Sequence, residues 1–483
     1  MNIFDKSDKP LCVDLDGTLI KTDLLLESFL GLIKIKPWMF FLIPFWLLKG
    51  KAYLKSMLAK QVELDISVLP YNTLLVAHLK QAKIDGRHIV LTTASHQLYA
   101  NAISQHLGFF DEVIATDSTL NNEGFKKGKI LVDKYGEGLF DYIGNSKADL
   151  KVWRYAHKVY VVNPEFCLQK IVLKNYPNAL VMKESKQFFP ILLKTLRLHQ
   201  WVKNMLIFVP LIAAHQLGHI PSLIDAMIAF IAFGLCASSV YVINDLLDLS
   251  ADRHHPRKCK RGFASGDISI LMGLALIPIL IFLAVIISTS LLPFKFILSL
   301  ALYYLLTTIY SFWAKKQAIL DVMFLAGLYT MRIIAGAAAS AVPLSFWLLA
   351  FSMFIFLSLA LIKRYSELLY LLQGEKGAGK GRGYEVDDLS VLLSLGGASG
   401  YLSVLVLALF INSPEVNALY AYPKVLWGLC PLMLFWISRI WFITHRGEMH
   451  DDPVVFAIKD IVSLIVFILF GVVFFAATFH WRY

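Results

Sequence analysis

Residues 238–266 read SSVYVINDLLDLSADRHHPRKCKRGFASG. An apolar run beginning near residue 222 ends here, and Asp245, Asp248 and Asp252 follow at offsets of three and four, which share one face of a helix. Carboxylates gathered beside a bilayer repel one another unless divalent cations neutralise them. Such a cluster points to Mg²⁺ carrying the diphosphate of a substrate. Asn244 sits with the three acids, and Arg253, Arg257, Lys258, Lys260 and Arg261 follow at once, where cationic side chains can hold phosphate oxygens.

The apolar run is one of many. The 483 residues are 57% hydrophobic with a mean hydropathy of +0.61, too apolar for an ordinary soluble chain, and membrane spans account for the excess. About nine runs recur, at roughly 204–219, 222–243, 270–290, 294–313, 319–341, 343–362, 389–411, 424–443 and 459–480. The formal charge of +11 lies between these runs with no aromatic-basic stripe beside it, so it reads as membrane orientation and not as nucleic-acid binding. With the N-terminus in the cytoplasm, about fifteen Lys and Arg fall in the even-numbered loops and about three in the opposite ones. The expected protein is multi-pass in the inner (cell) membrane, with its acidic clusters cytoplasmic and its C-terminus outside. MNIFDKSDKP at the start lacks the layout of a secretory signal. Five scattered cysteines read as small apolar fillers in a reducing setting. GEKGAGKGRG, residues 374–383, reads as a mobile basic-glycine loop.

Upstream, residues of about 10 to 180 mix short apolar runs (Leu11 to Leu15, His88 to Leu91, Val159 to Val162) with amphipathic stretches, the pattern of an α/β domain with a parallel sheet. The expected division is a soluble domain over 1–190 and an all-α transmembrane bundle over 191–483. WMFFLIPFWLL, Trp38 to Leu48, is too short to span. Flanked by Lys34, Lys36, Lys49 and Lys51, it reads as a cap segment near 35–50 lying on the membrane, or as a buried cap helix.

Val13 to Leu19 read VDLDGTL, a strand delivering Asp14 and Asp16 into a glycine turn at its carboxyl end, where open α/β sheets bind ligands. One carboxylate can attack while the other shuttles protons. The run His88 to Leu91 ends in Thr92-Thr93-Ala94-Ser95, whose hydroxyls can hold a phosphoryl oxygen; Lys126, Lys127 and Lys129 follow, then Tyr142-Ile143-Gly144-Asn145-Ser146-Lys147-Ala148-Asp149. These four pieces, in this order, resemble the haloacid dehalogenase (HAD) superfamily of phosphatases. The resemblance implies that Asp14 is a nucleophile forming an aspartyl phosphate, Asp16 the general acid/base, Thr93 a phosphate anchor and Lys127 the neutralising lysine, with Thr92, Lys126 and Lys129 as alternatives. It also implies Mg²⁺ held by Asp14, the carbonyl of Asp16, Asn145 and Asp149. Asn145 stands where an aspartate is commoner in that superfamily, which lowers the expected metal affinity.

The motif NDxxDxxxDR with HPRK after it, Asn244 to Lys258, resembles the UbiA prenyltransferase family over about residues 195–480. That resemblance implies a polyprenyl substrate between helices and a diphosphate held through Mg²⁺ on two acidic clusters. Candidates for the second cluster are Asp321, after Tyr310 and Lys315-Lys316, and Asp451, Asp452 and Asp460. LRLHQWVKN, residues 196–204, and KRYSEL, residues 363–368, resemble the polyprenyl-phosphate phosphoribosyltransferase branch. Lys203, Lys363, Arg364 and Glu367 then join Asn244, Arg253, Lys258, Tyr310, Lys315 and Asp321 as candidate substrate-binding residues, beside the catalytic candidates Asp245, Asp248 and Asp252. The expected partners are phosphoribosyl diphosphate and a polyprenyl phosphate lipid. A phosphoribosylated lipid keeps a 5-phosphate that a tethered phosphatase would meet at high effective concentration. The alternatives are an aromatic prenyltransferase using a polyprenyl diphosphate, with an accessory or inactive HAD domain, and a non-catalytic membrane scaffold.

Overall fold

The computed structural model describes residues 4, 7–117, 122, 124–184, 187–372, 383–449 and 452–478. The basic-glycine stretch, save Gly383, and Asp451 lie outside them. The chain divides into two compact units, Met1–Thr195 with Ile243–Ala275, and Leu196–Val242 with Leu276–Tyr483.

The first unit is built on six parallel strands: β1 (Leu11–Val13), β2 (Ile89–His96), β3 (Glu112–Thr116), β4 (Asp141–Gly144), β5 (Val159–Val162) and β6 (Leu180–Met182), in the order β3-β2-β1-β4-β5-β6. Helices cover both faces, so the inner strands read as unbroken apolar runs. Leu11, Val13, Leu91 and Ile143 pack on one side with Leu75, Leu79, Tyr99 and Ile103. Cys12, Val90, Tyr142 and Val161 pack on the other with Leu131, Trp153 and Leu168. The strand order reverses at β1, which opens a crevice at the carboxyl ends of β1, β2 and β4. Asp14, Thr93 and Asn145 belong to the chain at those ends.

Between β1 and β2, the helix Leu24–Ile35 precedes a short 3₁₀ turn, Pro37–Leu42, and the helix Ile43–Leu48. Trp46 is buried against Leu32, Leu54 and Leu58, whereas Phe41, Phe45 and Leu48 are exposed. The cap segment is therefore anchored by Trp46 and offers an apolar outer face.

The second unit is helical. By length and hydropathy, eight helices among the described residues can cross a membrane: Ile220–Leu247, Ile270–Leu291, Phe294–Lys316, Leu320–Ser340, Phe346–Leu372, Val386–Ile411, Pro423–His445 and Ile461–Thr478. The run at 204–219 does not make a ninth. Leu198–Phe208 is a 3₁₀ helix and Val209–Ala213 little more than one helical turn, ended at His215 with φ +56°. This segment packs flush on Leu320–Ser340, where a Cβ on Gly336 would come within 2.0 Å of the Ile207 carbonyl oxygen. The odd number of crossings behind the outward placement of the C-terminus is thus not met by the long helices. Phe346–Leu372 continues about three turns past the apolar run and carries Lys363, Arg364 and Glu367 on helix.

Candidate active sites

Asp14 leaves β1 with its backbone N–H on the Ile143 carbonyl, 2.9 Å, which carries the pairing with β4 one residue past β1. Lys127 Nζ donates to Asp14 Oδ1 at 2.7 Å and to the Tyr142 hydroxyl at 3.1 Å, and that hydroxyl donates to Asp149 Oδ1 at 2.9 Å. Asp14, Lys127 and Asp149 are all buried, while Lys126 and Lys129 are exposed. Asp16 Oδ1 accepts from the Leu24 N–H at 2.9 Å, and Asp16 Oδ2 accepts from Ser95 Oγ at 2.5 Å and Thr93 Oγ1 at 3.4 Å. Thr92 Oγ1 is buried on the opposite strand face with no protein partner.

Asp149, expected as a metal ligand, also caps its own loop: its Oδ2 accepts from the Asn145 and Ser146 N–H groups and the Ser146 hydroxyl at 3.1, 2.9 and 2.8 Å. Asn145 instead lies over the aspartate turn. Its Oδ1 accepts from Thr18 Oγ1 at 3.3 Å, and a Cβ on Gly17, at φ +76°, would come within 2.2 Å of its Nδ2.

Burial pushes the Asp14 carboxyl up to about 7, against the pull of Lys127 and with Asp149 adding to the rise. Burial and the charge of Asp23 push Asp16 up to about 6, against the hydrogen bonds from Ser95 and Leu24. The site is short of positive charge, the deficit a divalent cation would relieve, so Asp14, Asp16 and Asn145 fit Mg²⁺. Carboxyls whose folded value exceeds the unfolded value of about 3.9 stabilise the fold fully below that pH and lose the contribution as the pH rises through about 6 to 7. Cation binding offsets that loss. Added Mg²⁺ is expected to raise the calorimetric unfolding midpoint more at about pH 8 than at about pH 5, and the difference to shrink in Asp14→Asn. Equal shifts at both pH values count against a metal on Asp14.

The acidic loop, also in the first unit, is not one continuous helix. Ile220–Leu247 carries Asp245, the chain breaks at Asp248 (φ −101°, ψ 15°), and Leu249–His254 carries Asp252. Asp245 and Asp252 nevertheless converge, both accepting from Arg261 Nη1, at 3.0 and 2.6 Å. Asp248 turns to Lys34, 3.1 Å away. With these cations among the acids, no three His, Cys, Asp or Glu side chains of the described residues are gathered as a metal cage. Two buried carboxylates on one part-exposed guanidinium still suit a divalent ion in the place of Arg261. Asn244 Oδ1 is buried with no protein partner. Arg253, expected on phosphate, is instead tied to Glu27 in a buried bidentate pair. Lys258 stands in the short 3₁₀ turn Lys258–Lys260, beside the acids in sequence.

In the second unit Asp321 and Arg364 form a fully buried pair, joined by Glu367 and by the Tyr310 hydroxyl, which donates to Asp321 Oδ1 at 2.9 Å. Lys315 ends the preceding span. Lys203 and Lys363 both donate to Asp452 Oδ2, at 2.8 and 3.1 Å, and the Tyr329 hydroxyl donates to Asp452 Oδ1 at 3.3 Å. Burial works against the Asp452 charge, but the two lysines overcome it and hold the carboxyl well below the usual range. Asp460 is taken by Arg439 and by the Ser463 N–H. Sequence reasoning missed Arg332, buried among Phe233, Tyr303 and Tyr329 with its Nε on Asn204 Oδ1 at 3.0 Å. A lone cation inside the run 319–341 was its signal. Ser95 stood in the quoted hydroxyl run, but Glu27 had no local signal.

A parallel α/β domain whose central strand ends in two aspartates is joined in one chain to a polytopic helical bundle. Residues 205–458 match the UbiA prenyltransferase family, and the chain belongs to that family. The uncharacterized protein y4nM of Sinorhizobium fredii is 37% identical over 466 residues, 95% of this chain and 89% of its own. Nodulation protein NoeC of Azorhizobium caulinodans is 37% identical over 271 residues, 56% of this chain and 87% of its own. The decaprenyl-phosphate phosphoribosyltransferase of Mycolicibacterium smegmatis is 36% identical over 181 residues, 37% of this chain and 57% of its own. The chain thus joins a UbiA-family membrane domain to an N-terminal domain built on a parallel sheet.

Proposed function

We propose that the protein is a two-step membrane enzyme that transfers 5-phosphoribose from phosphoribosyl diphosphate to a polyprenyl phosphate and then removes the 5-phosphate, leaving a polyprenyl-phosphoryl ribose. One observation carries the reading: a phosphatase-type aspartate pair, Asp14 and Asp16 with Lys127, is joined in one chain to a UbiA domain whose relatives include a decaprenyl-phosphate phosphoribosyltransferase. Only a phosphoribosylated lipid hands the second step a phosphomonoester.

In the transfer, a lipid phosphate oxygen attacks ribose C1 as the diphosphate departs. Asp245, Asp248 and Asp252 would hold Mg²⁺, which supplies charge to the leaving diphosphate. Lys203 and Lys363, which share the single carboxylate of Asp452, leave surplus positive charge for a second phosphate. In the hydrolysis, Asp14 attacks phosphorus and Asp16, whose burial raises its carboxyl to about 6, gives a proton to the departing ribose oxygen; it then takes a proton from the water that attacks the aspartyl phosphate and releases inorganic phosphate. Lys127 neutralises the gathering charge and Thr93 holds a phosphoryl oxygen. Asp14, the Asp16 carbonyl, Asn145 and Asp149 would hold Mg²⁺ there. In this reading both sites are cytoplasmic at the inner membrane, and the exposed apolar face of Pro37–Leu48 suits contact with lipid headgroups.

The test is incubation of the purified protein with Mg²⁺, polyprenyl phosphate and phosphoribosyl diphosphate labelled in the ribose. Label is expected in the lipid, free of 5-phosphate. Its absence from the lipid, with transfer from a polyprenyl diphosphate to an aromatic acceptor, would establish the aromatic prenyltransferase instead.

A further inference from the structure

We propose that Glu27 is a positioning residue of the acidic loop, so that the helix Leu24–Ile35 of the phosphatase fold is a working part of the transferase site. The inference rests on the reading of Asp245, Asp248 and Asp252 as that site.

The helix starts at the phosphatase carboxylates. Its first N–H, at Leu24, is on Asp16 Oδ1, and Asp23 caps it through the Leu25 and Leu26 N–H groups. One turn in, Glu27 receives both terminal nitrogens of Arg253, Nη1 at 2.9 Å from Oε2 and Nη2 on Oε1, with both side chains about 5% exposed. The remaining Arg253 nitrogen, Nε, donates to the Ala264 carbonyl at 3.0 Å. Arg253 thus spends its fork inside the protein and is not available to phosphate. What it does is clamp its own backbone between Glu27 and residue 264. Its neighbour Asp252 is thereby held where it and Asp245 meet at Arg261.

Two further contacts join the same parts. Lys34, two turns beyond Glu27 on the same helix face, reaches Asp248, and His254 reaches Asp65 at 2.7 Å. These pairs are part-exposed and contribute little each. The buried bidentate pair differs, since its planar geometry fixes orientation as well as distance. Removing the Glu27 charge frees Arg253 to turn toward Asp252 and compete with the metal for it.

The experiment titrates the full-length protein in detergent with phosphoribosyl diphosphate and Mg²⁺, read by calorimetry. Glu27→Gln is expected to weaken binding about tenfold or more and to raise the Mg²⁺ needed for half-saturation, as losses of outer partners do at metal sites. Glu27→Asp, which keeps the charge, recovers part of the affinity, and Lys83→Ala, at the exposed pair with Asp111, binds as the wild type does. A buried Arg253 without its carboxylate threatens the fold, so Glu27→Gln with Arg253→Gln is the companion variant. It is expected to stay folded and still bind weakly, because nothing then holds residue 253. Wild-type affinity in either folded variant overturns the inference alone. A wild-type protein that takes up no phosphoribosyl diphosphate with Mg²⁺ overturns the transferase reading and this inference together.

Discussion

Asn in place of Asp14 is expected to lower hydrolysis of the 5-phosphate by about 10³-fold or more, the scale on which removal of an attacking group acts. An amide of nearly the same shape cannot open a phosphoester, so the loss is chemical. The amide can still accept from Lys127, but that buried ammonium loses its charged partner, so the unfolding midpoint is expected to fall. Mass spectrometry of lipid made by the folded variant should show the 5-phosphorylated intermediate accumulating. Dephosphorylated lipid in wild-type amounts would show the first domain to be catalytically idle.

Lys127 and Asn145 meet Asp14 and the aspartate turn at the carboxyl ends of the parallel neighbours β1, β2 and β4, and the ends of β1 and β2 were legible because each begins as an apolar run that stops at polar residues. The long spans were legible for a similar reason, since length and hydropathy fix them without knowledge of their neighbours. Where composition leaves two backbones open, the sequence misled. The run at 204–219 is apolar enough for a helix, but its 3₁₀ form depends on lying against Gly336, far along the chain. Asp149 shows another limit: it was read as a ligand, and its bonds from the Asn145 and Ser146 N–H groups, which cap the loop, have no sequence signal of their own. Glu27 and Arg253, 226 residues apart, carry no local pattern that pairs them. The acidic motif was visible as a motif, but the cations that stand among its members, Arg261 and Lys34, come from beyond it.

Asp245→Asn provides the converse experiment, with an expected fall of about 10²-fold or more in transfer of labelled phosphoribose to lipid, comparable to loss of a main electrostatic stabiliser of a leaving group. Asp245 is buried at the end of Ile220–Leu247 and shares Arg261 with Asp252. The amide keeps its shape but removes one of the two carboxylates that converge on Arg261, and with it part of the negative charge that a divalent ion would answer. Diphosphate release, followed by a coupled pyrophosphatase assay, should fall with the transfer. Supplied phosphoribosyl lipid should still be dephosphorylated, because Glu27 keeps Arg253 and the helix from Leu24 keeps Asp16 in place. Loss of both reactions in a folded protein would mean that one set of carboxylates serves both, and the division of labour between Asp14 and Asp245 would fail with it.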